Sequence, residues 1–297
     1  MVSSFKSSLK GIDCSQIDNR YLTVCVSVDF GPRVLGLSYQ GGENLLAVLP
    51  DAQLQAAGGL AYHLWGGHRL WVAPERPEIT YLPDDQPPRI EEITNGLEVV
   101  QEVERSTGIQ KSWRIRLVPE RAEVVLDHRI SNQGTGPIAL APWAVTMLPP
   151  GGVGLLPLPE DPQDEHGLWP NRQLVFWPYT DLESSHIKLN NQALLVTAEM
   201  RRGALKVGVP NPLGWIAYRH KKVLFVKKTR YLEGENYLDR GASHQIYCDP
   251  QVIELETLGP QTTLNPGQAV DHQELWQIYP QGSFPQQIQK RFVSLLR

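Results

Sequence analysis

The chain has 297 residues, of which 41% are hydrophobic and 20% are charged, a composition typical of a folded globular protein with a sizeable core. Its formal net charge of −4 argues against a dedicated nucleic-acid-binding protein, because such proteins usually carry a strong excess of Lys and Arg. No stretch approaches the roughly 18 consecutive apolar residues of a membrane-spanning helix, and the polar segment 1–11 lacks the apolar core of a secretory signal peptide.

Alternating patterns dominate the first half of the chain. Residues 21–30 alternate between two sets of side chains, which predicts a strand, and a second short strand is expected at 33–39. Residues 51–57 are the best candidate for an early helix. Between 97 and 131, three apolar-alternating runs separated by short turn signals predict an antiparallel meander.

The second half continues in the same style. A stretch rich in Pro, Gly and Asp over 149–170 predicts a long loop. The strands predicted beyond it are 205–209, 215–220, 223–228, 244–248 and 252–258. Near the end, Ile288, Phe292 and Leu295 recur at helical spacing, which predicts a helix over 285–296.

The number of short strands predicts an all-β fold, a large antiparallel β-sandwich. A propeller would show self-similarity every ~40–50 residues, and the sequence has none. Neither a composition break nor a linker divides the chain. We therefore expect a single domain over residues 1–297.

Motifs for several kinds of chemistry are missing from the sequence. It contains no Gly-rich phosphate loop, no dinucleotide-binding fingerprint and no nucleophile elbow. The three cysteines form no CxxC pair, and His63 and His68 are poorly spaced for a metal site. We expect a soluble cytoplasmic protein that uses no metal ion and no organic cofactor.

Segment 58–77 concentrates polar and aromatic side chains between glycines. An indole face can cover the apolar C–H face of a pyranose while fixed donors and acceptors bind its hydroxyl groups, so this mixture favours a sugar site. The alternative is a tightly turned structural segment whose indoles belong to the core. The candidate residues are His63, Trp65, His68, Arg69, Trp71 and Glu75.

The predicted strand 252–258 carries two acidic residues on one face. Glu254 and Glu256 are two positions apart, so their side chains project to the same side. On a concave sheet face, one carboxylate could act as a general base whose pKa is tuned by the other. The alternative is an exposed edge strand with two solvated glutamates.

Further candidates lie in three other places. Trp177 and Tyr179 belong to an aromatic segment at 169–181, Asp239 lies within 236–241, and Lys206 is isolated in a predicted strand. Each combines, or adjoins, the polar and aromatic groups that a sugar site uses. A purely structural role stays open for each of them.

Taken in order, short motifs along nearly the whole chain resemble the galactose mutarotase-like group, the aldose 1-epimerases and their relatives. The order of the motifs is more specific than any single one. The matching segments are Gly31–Leu37, Gly42–Leu46, Gly67–Trp71, Asn132–Leu148, Glu254–Thr257, Leu264–Gly267 and Glu274–Trp276.

The resemblance implies an antiparallel β-supersandwich and an acid–base mechanism without a cofactor. In this family a glutamate takes the proton of the anomeric hydroxyl while a histidine protonates the ring oxygen, so that the sugar ring opens and closes on its other face. The resemblance points to Glu256 as the base and to Arg69 as a ligand contact. Where the family has its acid histidine, segment 141–147 has Trp143 and no histidine. We expect His68 to act as the acid instead, provided that it converges on the same cavity.

We therefore expect a carbohydrate-binding isomerase of the aldose 1-epimerase type. Trp71, Trp143 and Trp177 would form sugar platforms, and the other predicted ligand contacts are Arg69, Glu75, Tyr179, Lys206, Asp239 and Glu254. One alternative is a non-catalytic sugar-binding or sensing protein on the same scaffold. Another is a modified or phosphorylated sugar as ligand, with Arg69 and Lys206 as anion contacts. Nothing in the sequence specifies the oligomeric state.

Overall fold

The computed structural model describes residues 3–59, 61–281 and 283–292, and most of the strands in these ranges belong to two large antiparallel sheets. Strands are numbered in chain order. In spatial order the first sheet contains β1 (Ser3–Leu9), β2 (Ile12–Asp18), β3 (Leu22–Ser27), β4 (Val34–Tyr39), β7 (His68–Ala73), β12 (Ile138–Leu148), β21 (Ile253–Leu258), β20 (His244–Cys248), β17 (Leu205–Val209) and β14 (Val175–Phe176), with β22 (Thr262–Leu264) paired to β12.

The second sheet faces the first. In spatial order its strands are β15 (Ile187–Leu189), β16 (Ala193–Thr197), β13 (Val153–Pro157), β18 (Trp215–His220), β19 (Val223–Thr229), β23 (Ala269–Pro280), β11 (Glu123–Asn132), β10 (Ile109–Leu117), β9 (Gly96–Val100) and β8 (Arg89–Ile93). The remaining elements are the hairpin of β5 (Val48–Gln55) and β6 (Ala61–Gly66), the helices α1 (Pro77–Thr80) and α2 (Gln286–Phe292), and two single 3-10 turns, Ala57–Gly59 and Asp239–Gly241. No helix within the described ranges has both the length and the apolar character needed to cross a membrane.

The main core lies between the two sheets. One buried cluster contains Val24 and Leu255 from the first sheet together with Trp113 and Phe225 from the second. Because side chains alternate along a strand, one face of each sheet supplies this cluster. The prediction of a large antiparallel β-sandwich is confirmed, and so is the meander of β9, β10 and β11.

Two local predictions are wrong. Residues 51–55 belong to strand β5 rather than to a helix, because β5 pairs with β6 and an isolated helix of that length is marginal. The loop predicted over 149–170 contains strand β13, which pairs with β16 and β18. The C-terminal helix is present as α2, where Ile288 and Phe292 are buried, and the end of the predicted helix at 293–296 lies outside the described residues.

A buried ion pair within the second sheet is hydrogen-bonded to the first sheet. Lys227, on β19 of the second sheet, lies 2.9 Å from the carboxylate of Glu274, and neither side chain is exposed to solvent. The same ammonium group donates hydrogen bonds to the carbonyl oxygens of Ala144 (2.9 Å) and Leu255 (3.1 Å) in the first sheet. Its position therefore fixes β12 and β21 relative to the second sheet.

We expect Lys227→Met to lower the free energy of unfolding by about 3–5 kcal/mol, because it leaves the Glu274 carboxylate buried without its cation. Urea denaturation of the variant and the wild type measures the change. The matched control is Lys222→Met, which removes an exposed lysine from the turn between β18 and β19. Equal losses of stability in the two variants would contradict the structural role of the pair.

Candidate functional site

Strand register brings the candidate residues together on the outer face of the first sheet. Glu256 on β21 lies opposite Val145 on β12, and Val145 lies opposite Arg69 on β7. In the same way, Trp143 on β12 lies opposite Trp71 on β7. Directly paired residues of neighbouring strands project to the same face, so residues that are far apart in the sequence share one surface.

This surface forms the floor of a cavity of about 340 Å³, which is within the usual size range of small-molecule pockets. Hairpin β5–β6 contributes leucines to one wall, and the segments that carry Tyr179 and Tyr247 contribute to another. The charged and aromatic residues that line it are Arg69, Trp71, Glu75, Tyr81, Trp143, Tyr179, Lys206, Tyr247, Asp249 and Glu254.

One ion pair in the floor joins Arg69 and Glu254. Nη2 of Arg69 lies 3.3 Å from Oε1 of Glu254, and the guanidinium also lies 3.9 Å from the ring centroid of Trp71. Glu254 is only 7% exposed, and this burial raises the pKa of its carboxyl from 4.5 to about 7. Arg69 opposes the rise in the pKa, and the neighbouring carboxylate of Glu256 adds to it. Glu254 therefore exchanges a proton close to neutral pH, as a general acid or base must.

A second ion pair lies beneath the cavity. The Lys206 ammonium is 2.8 Å from Oε2 of Glu256, and the indole Nε1 of Trp143 donates a hydrogen bond of 2.7 Å to the same oxygen. Lys206 also lies between two indoles, 4.6 Å from the ring of Trp143 and 4.8 Å from the ring of Trp177. Glu256 has no solvent exposure, and its Oε1 has no hydrogen-bond partner among the residues that the structure describes.

A buried network holds the indole of Trp71 in place. Its Nε1 donates a hydrogen bond of 2.9 Å to the hydroxyl of Tyr62, which also accepts one from Arg33. Arg33 in turn forms an ion pair of 2.7 Å with Asp84. All three supporting side chains are buried, so the orientation of the Trp71 ring is set before any ligand arrives.

The structure gathers most of the predicted site residues. Those that line the cavity are Arg69, Trp71, Glu75, Trp143, Tyr179, Lys206 and Glu254. Glu256 and Trp177 contact the Lys206 ammonium from outside the lining. Asp239 does not line the cavity. It accepts a hydrogen bond of 2.8 Å from Gln245, the strand neighbour of Glu256.

His68 is not in the cavity, so its assignment as the acid is wrong. It follows Gly67 and precedes Arg69 on β7, and alternation turns its side chain toward the second sheet. There its Nδ1 lies 2.9 Å from the Thr146 hydroxyl and its Nε2 lies 2.8 Å from Nε2 of His128. Among the described residues that line the cavity, none is a histidine.

His68, His128 and Glu274 form the one group of described residues with metal-ligand spacing, since their ligand atoms all lie within 4.8 Å of one another. The ammonium of Lys227 already neutralises Glu274, and the indole of Trp276 donates a hydrogen bond of 2.9 Å to the other carboxylate oxygen. These contacts fit a buried hydrogen-bond network between the sheets better than a cation site, because a metal ion would have to displace the lysine.

Sequence reasoning missed Tyr81, Tyr247 and Asp249. Tyr247 alternates with Gln245 on β20, lies opposite Glu254 in the register, and donates a hydrogen bond of 3.1 Å to Asp249. The strand at 244–248 was predictable, but its neighbour in the sheet was not. The sequence pattern Asp249-Pro250 indicates only the end of a strand, but in the structure the Asp249 carboxylate lines the cavity.

No family model and no curated protein matches this chain. Several solved structures are similar to it. One is a galactose mutarotase-like protein from Lactobacillus casei (9% identity, covering 93% of this chain and 100% of that chain, TM-score 0.57). Another is a protein from Escherichia coli K12 with a provisional assignment as an aldose 1-epimerase (12% identity, covering 94% of this chain and 100% of that chain, TM-score 0.55). A galactose mutarotase-related enzyme from Lactobacillus acidophilus is also similar (9% identity, 95% and 99%, TM-score 0.51). The chain therefore has the galactose mutarotase-like fold.

We expect the stability of the protein to depend on the ionisation of Glu254. The folded state holds a proton there at pH values where the unfolded chain, with a pKa of 4.5, has released it. This contribution is fully present below pH 4.5 and is lost as the pH rises through about 7. The unfolding free energy of the wild type should therefore fall relative to that of Glu254→Gln across this range.

Urea denaturation at a series of pH values measures this difference. Glu102→Gln, which replaces an exposed carboxylate outside the cavity, controls for the loss of one charge. A difference between wild type and Glu254→Gln that stays constant across the range, or that changes in the opposite direction, would contradict the raised pKa.

Proposed function

We propose that this protein binds a free aldose in the cavity and interconverts its anomers by opening and closing the sugar ring. The observation that carries the proposal is the buried pair of Arg69 and Glu254 in a cavity walled by indole and phenol rings. The galactose mutarotase-like fold supports the same class of ligand.

The walls of the cavity suit a pyranose. Trp71, Trp143 and the half-exposed ring of Tyr179 provide apolar surfaces for the C–H groups of the sugar. Arg69, Glu75 and Asp249 provide donors and acceptors for its hydroxyl groups. A few fixed polar groups among aromatic rings are what gives such a pocket both affinity and orientation.

Ring opening removes a proton from the anomeric hydroxyl and adds one to the ring oxygen. We assign the proton transfer to Glu254 rather than to Glu256, since Glu254 lines the cavity and Glu256 is held below it by Lys206. A protonated carboxyl group is both a hydrogen-bond donor and a hydrogen-bond acceptor. The anomeric hydroxyl oxygen and the ring oxygen are bonded to the same carbon, so one carboxyl group can reach both. One oxygen of Glu254 can therefore accept the anomeric proton while the other donates its proton to the ring oxygen.

The step balances without a second acid. The bond between the anomeric carbon and the ring oxygen breaks, a carbonyl forms at that carbon, and Glu254 ends with the same number of protons. Its pKa of about 7 keeps the protonated form populated at neutral pH. Arg69 holds one carboxyl oxygen in place and stabilises negative charge that develops during the transfer.

A non-catalytic sugar-binding or sensing protein is the second candidate. The observation that favours it is the cavity lining, which includes no histidine among the described residues, so the acid implied by the family resemblance has no counterpart there. Both candidates predict saturable sugar binding, and they differ in whether the bound sugar changes anomer.

We further propose that the chain acts as one domain in the cytoplasm. A single buried cluster includes residues from both large sheets, which supports one folding unit. The cysteines Cys14, Cys25 and Cys248 are free and buried, which is compatible with a reducing compartment.

We expect the wild type to accelerate anomer exchange of glucose or galactose, and Glu254→Gln to reduce the catalysed rate by about 100-fold or more, because the amide cannot exchange the proton. Polarimetry and NMR exchange spectroscopy measure the rate. The control Glu102→Gln should retain the wild-type rate.

Other outcomes discriminate between the assignments. A loss of exchange in Glu256→Gln with none in Glu254→Gln would move the proton transfer to Glu256. Saturable binding with no acceleration in the wild type would support the non-catalytic candidate. The absence of binding across a panel of free aldoses would contradict both.

A further inference from the structure

The charges around the cavity are unequal in number. Two cations, Arg69 and Lys206, face the carboxylates of Glu75, Asp249 and Glu254 in the lining. Both cations already have partners, since Arg69 pairs with Glu254 and Lys206 pairs with Glu256 beneath the floor. Each of these two cations in the described part of the chain is already paired with a carboxylate, so neither is free to pair with an anionic ligand.

Two lining carboxylates have no ion-pair partner in the described part of the chain. Glu75 accepts a hydrogen bond from the hydroxyl of Tyr81, and Asp249 accepts one of 3.1 Å from the hydroxyl of Tyr247. The other oxygen of Asp249 accepts hydrogen bonds from the backbone of its own turn, at residues 251 and 252. Both carboxylates are thus positioned at the cavity by neutral groups, and their negative charge faces the ligand space.

The buried pair beneath the floor adds no net charge. Glu256 is fully buried, and its Oε2 contacts Lys206 and Trp143, while its Oε1 has no partner within the described ranges. Lys206 offsets the charge of Glu256, so the excess negative charge at the cavity comes from Glu75 and Asp249. The field in the cavity therefore disfavours an anion and favours a cation.

We propose that the cavity rejects sugars that carry a phosphate or carboxylate and binds an amino sugar, in its protonated form, more tightly than the corresponding neutral sugar. The inference rests on the proposed sugar site and specifies its ligand class. It argues against the phosphorylated ligand considered from the sequence, for which Arg69 and Lys206 would have to be free.

Proton release gives an independent readout. The groups that face Glu254 are Arg69, Glu256, Lys206 and Asp249, and the two carboxylates help to raise its pKa while the two cations oppose the rise. An additional ammonium group in the cavity stabilises the ionised form of Glu254. Near pH 6, where the free amine is already protonated and Glu254 still holds its proton, binding of an amino sugar should therefore release protons from the protein, whereas binding of the neutral sugar should not.

The test is isothermal titration of the full chain with three matched ligands: glucose, glucosamine and glucose 6-phosphate. We expect glucosamine to bind about fivefold more tightly than glucose, which is the gain that one partly solvent-exposed ion pair produces. Glucose 6-phosphate should bind more weakly than glucose. Titration in buffers of different ionisation enthalpy counts the protons released.

Variants that remove a charge but keep the side-chain size distinguish the effect of the electric field on ligand preference from the effect of the cavity's shape. Glu75→Gln and Asp249→Asn keep the size of the side chains, and the Asn oxygen can still accept the backbone hydrogen bonds of the turn. Each should reduce the ratio of the glucosamine affinity to the glucose affinity, and the double variant should bring this ratio to about one, whatever glucose affinity the two substitutions themselves cost. Glu102→Gln, with the same change in net charge outside the cavity, should keep the preference.

Three results would overturn the inference alone: equal binding of glucose and glucosamine, tighter binding of glucose 6-phosphate than of glucose, or an unchanged preference in the double variant. Each leaves the sugar site intact because glucose binds. The absence of binding by all three ligands would overturn the proposed sugar site and the charge preference together.

Discussion

The candidate site depends on two carboxylates that strand β21 buries side by side. Glu254 and Glu256 lie on the same face of the central part of the first sheet, where little water reaches them. Burial of ionised groups costs free energy unless opposite charges compensate them. Each carboxylate has one cation, Arg69 from β7 for Glu254 and Lys206 from β17 for Glu256, and the sheet order brings those distant strands within reach.

The two pairs are not equivalent, and the difference assigns their chemistry. Lys206 and the indole of Trp143 bind the same oxygen of Glu256, which immobilises that carboxylate below the cavity. The contact between Arg69 and Glu254 is longer, at 3.3 Å, and Glu254 keeps a small exposed fraction toward the cavity. One carboxylate is thus structural, and the other can exchange a proton with a ligand.

The opposite face of the same strands serves the core. Lys227 and Glu274 form a compensated pair between the sheets, with His68, His128 and Thr146 in the surrounding hydrogen-bond network. This network binds the carbonyl oxygen of Leu255, the residue between the two site glutamates. The floor of the cavity is therefore held from behind by polar contacts with fixed geometry, rather than by apolar packing alone.

Alternation along each strand was sufficient to predict the all-β class, the meander and the shared face of Glu254 and Glu256, because the two-residue repeat is a local property of the backbone. The same repeat places His68 and Arg69 on opposite faces, so adjacent positions in one strand already exclude a joint role in one cavity. The structure alone decided which strands are neighbours, and hence that Lys206 pairs with Glu256 and that residues 51–55 form a strand. These outcomes depend on hydrogen bonds and charges between segments up to 185 residues apart, which no local pattern encodes.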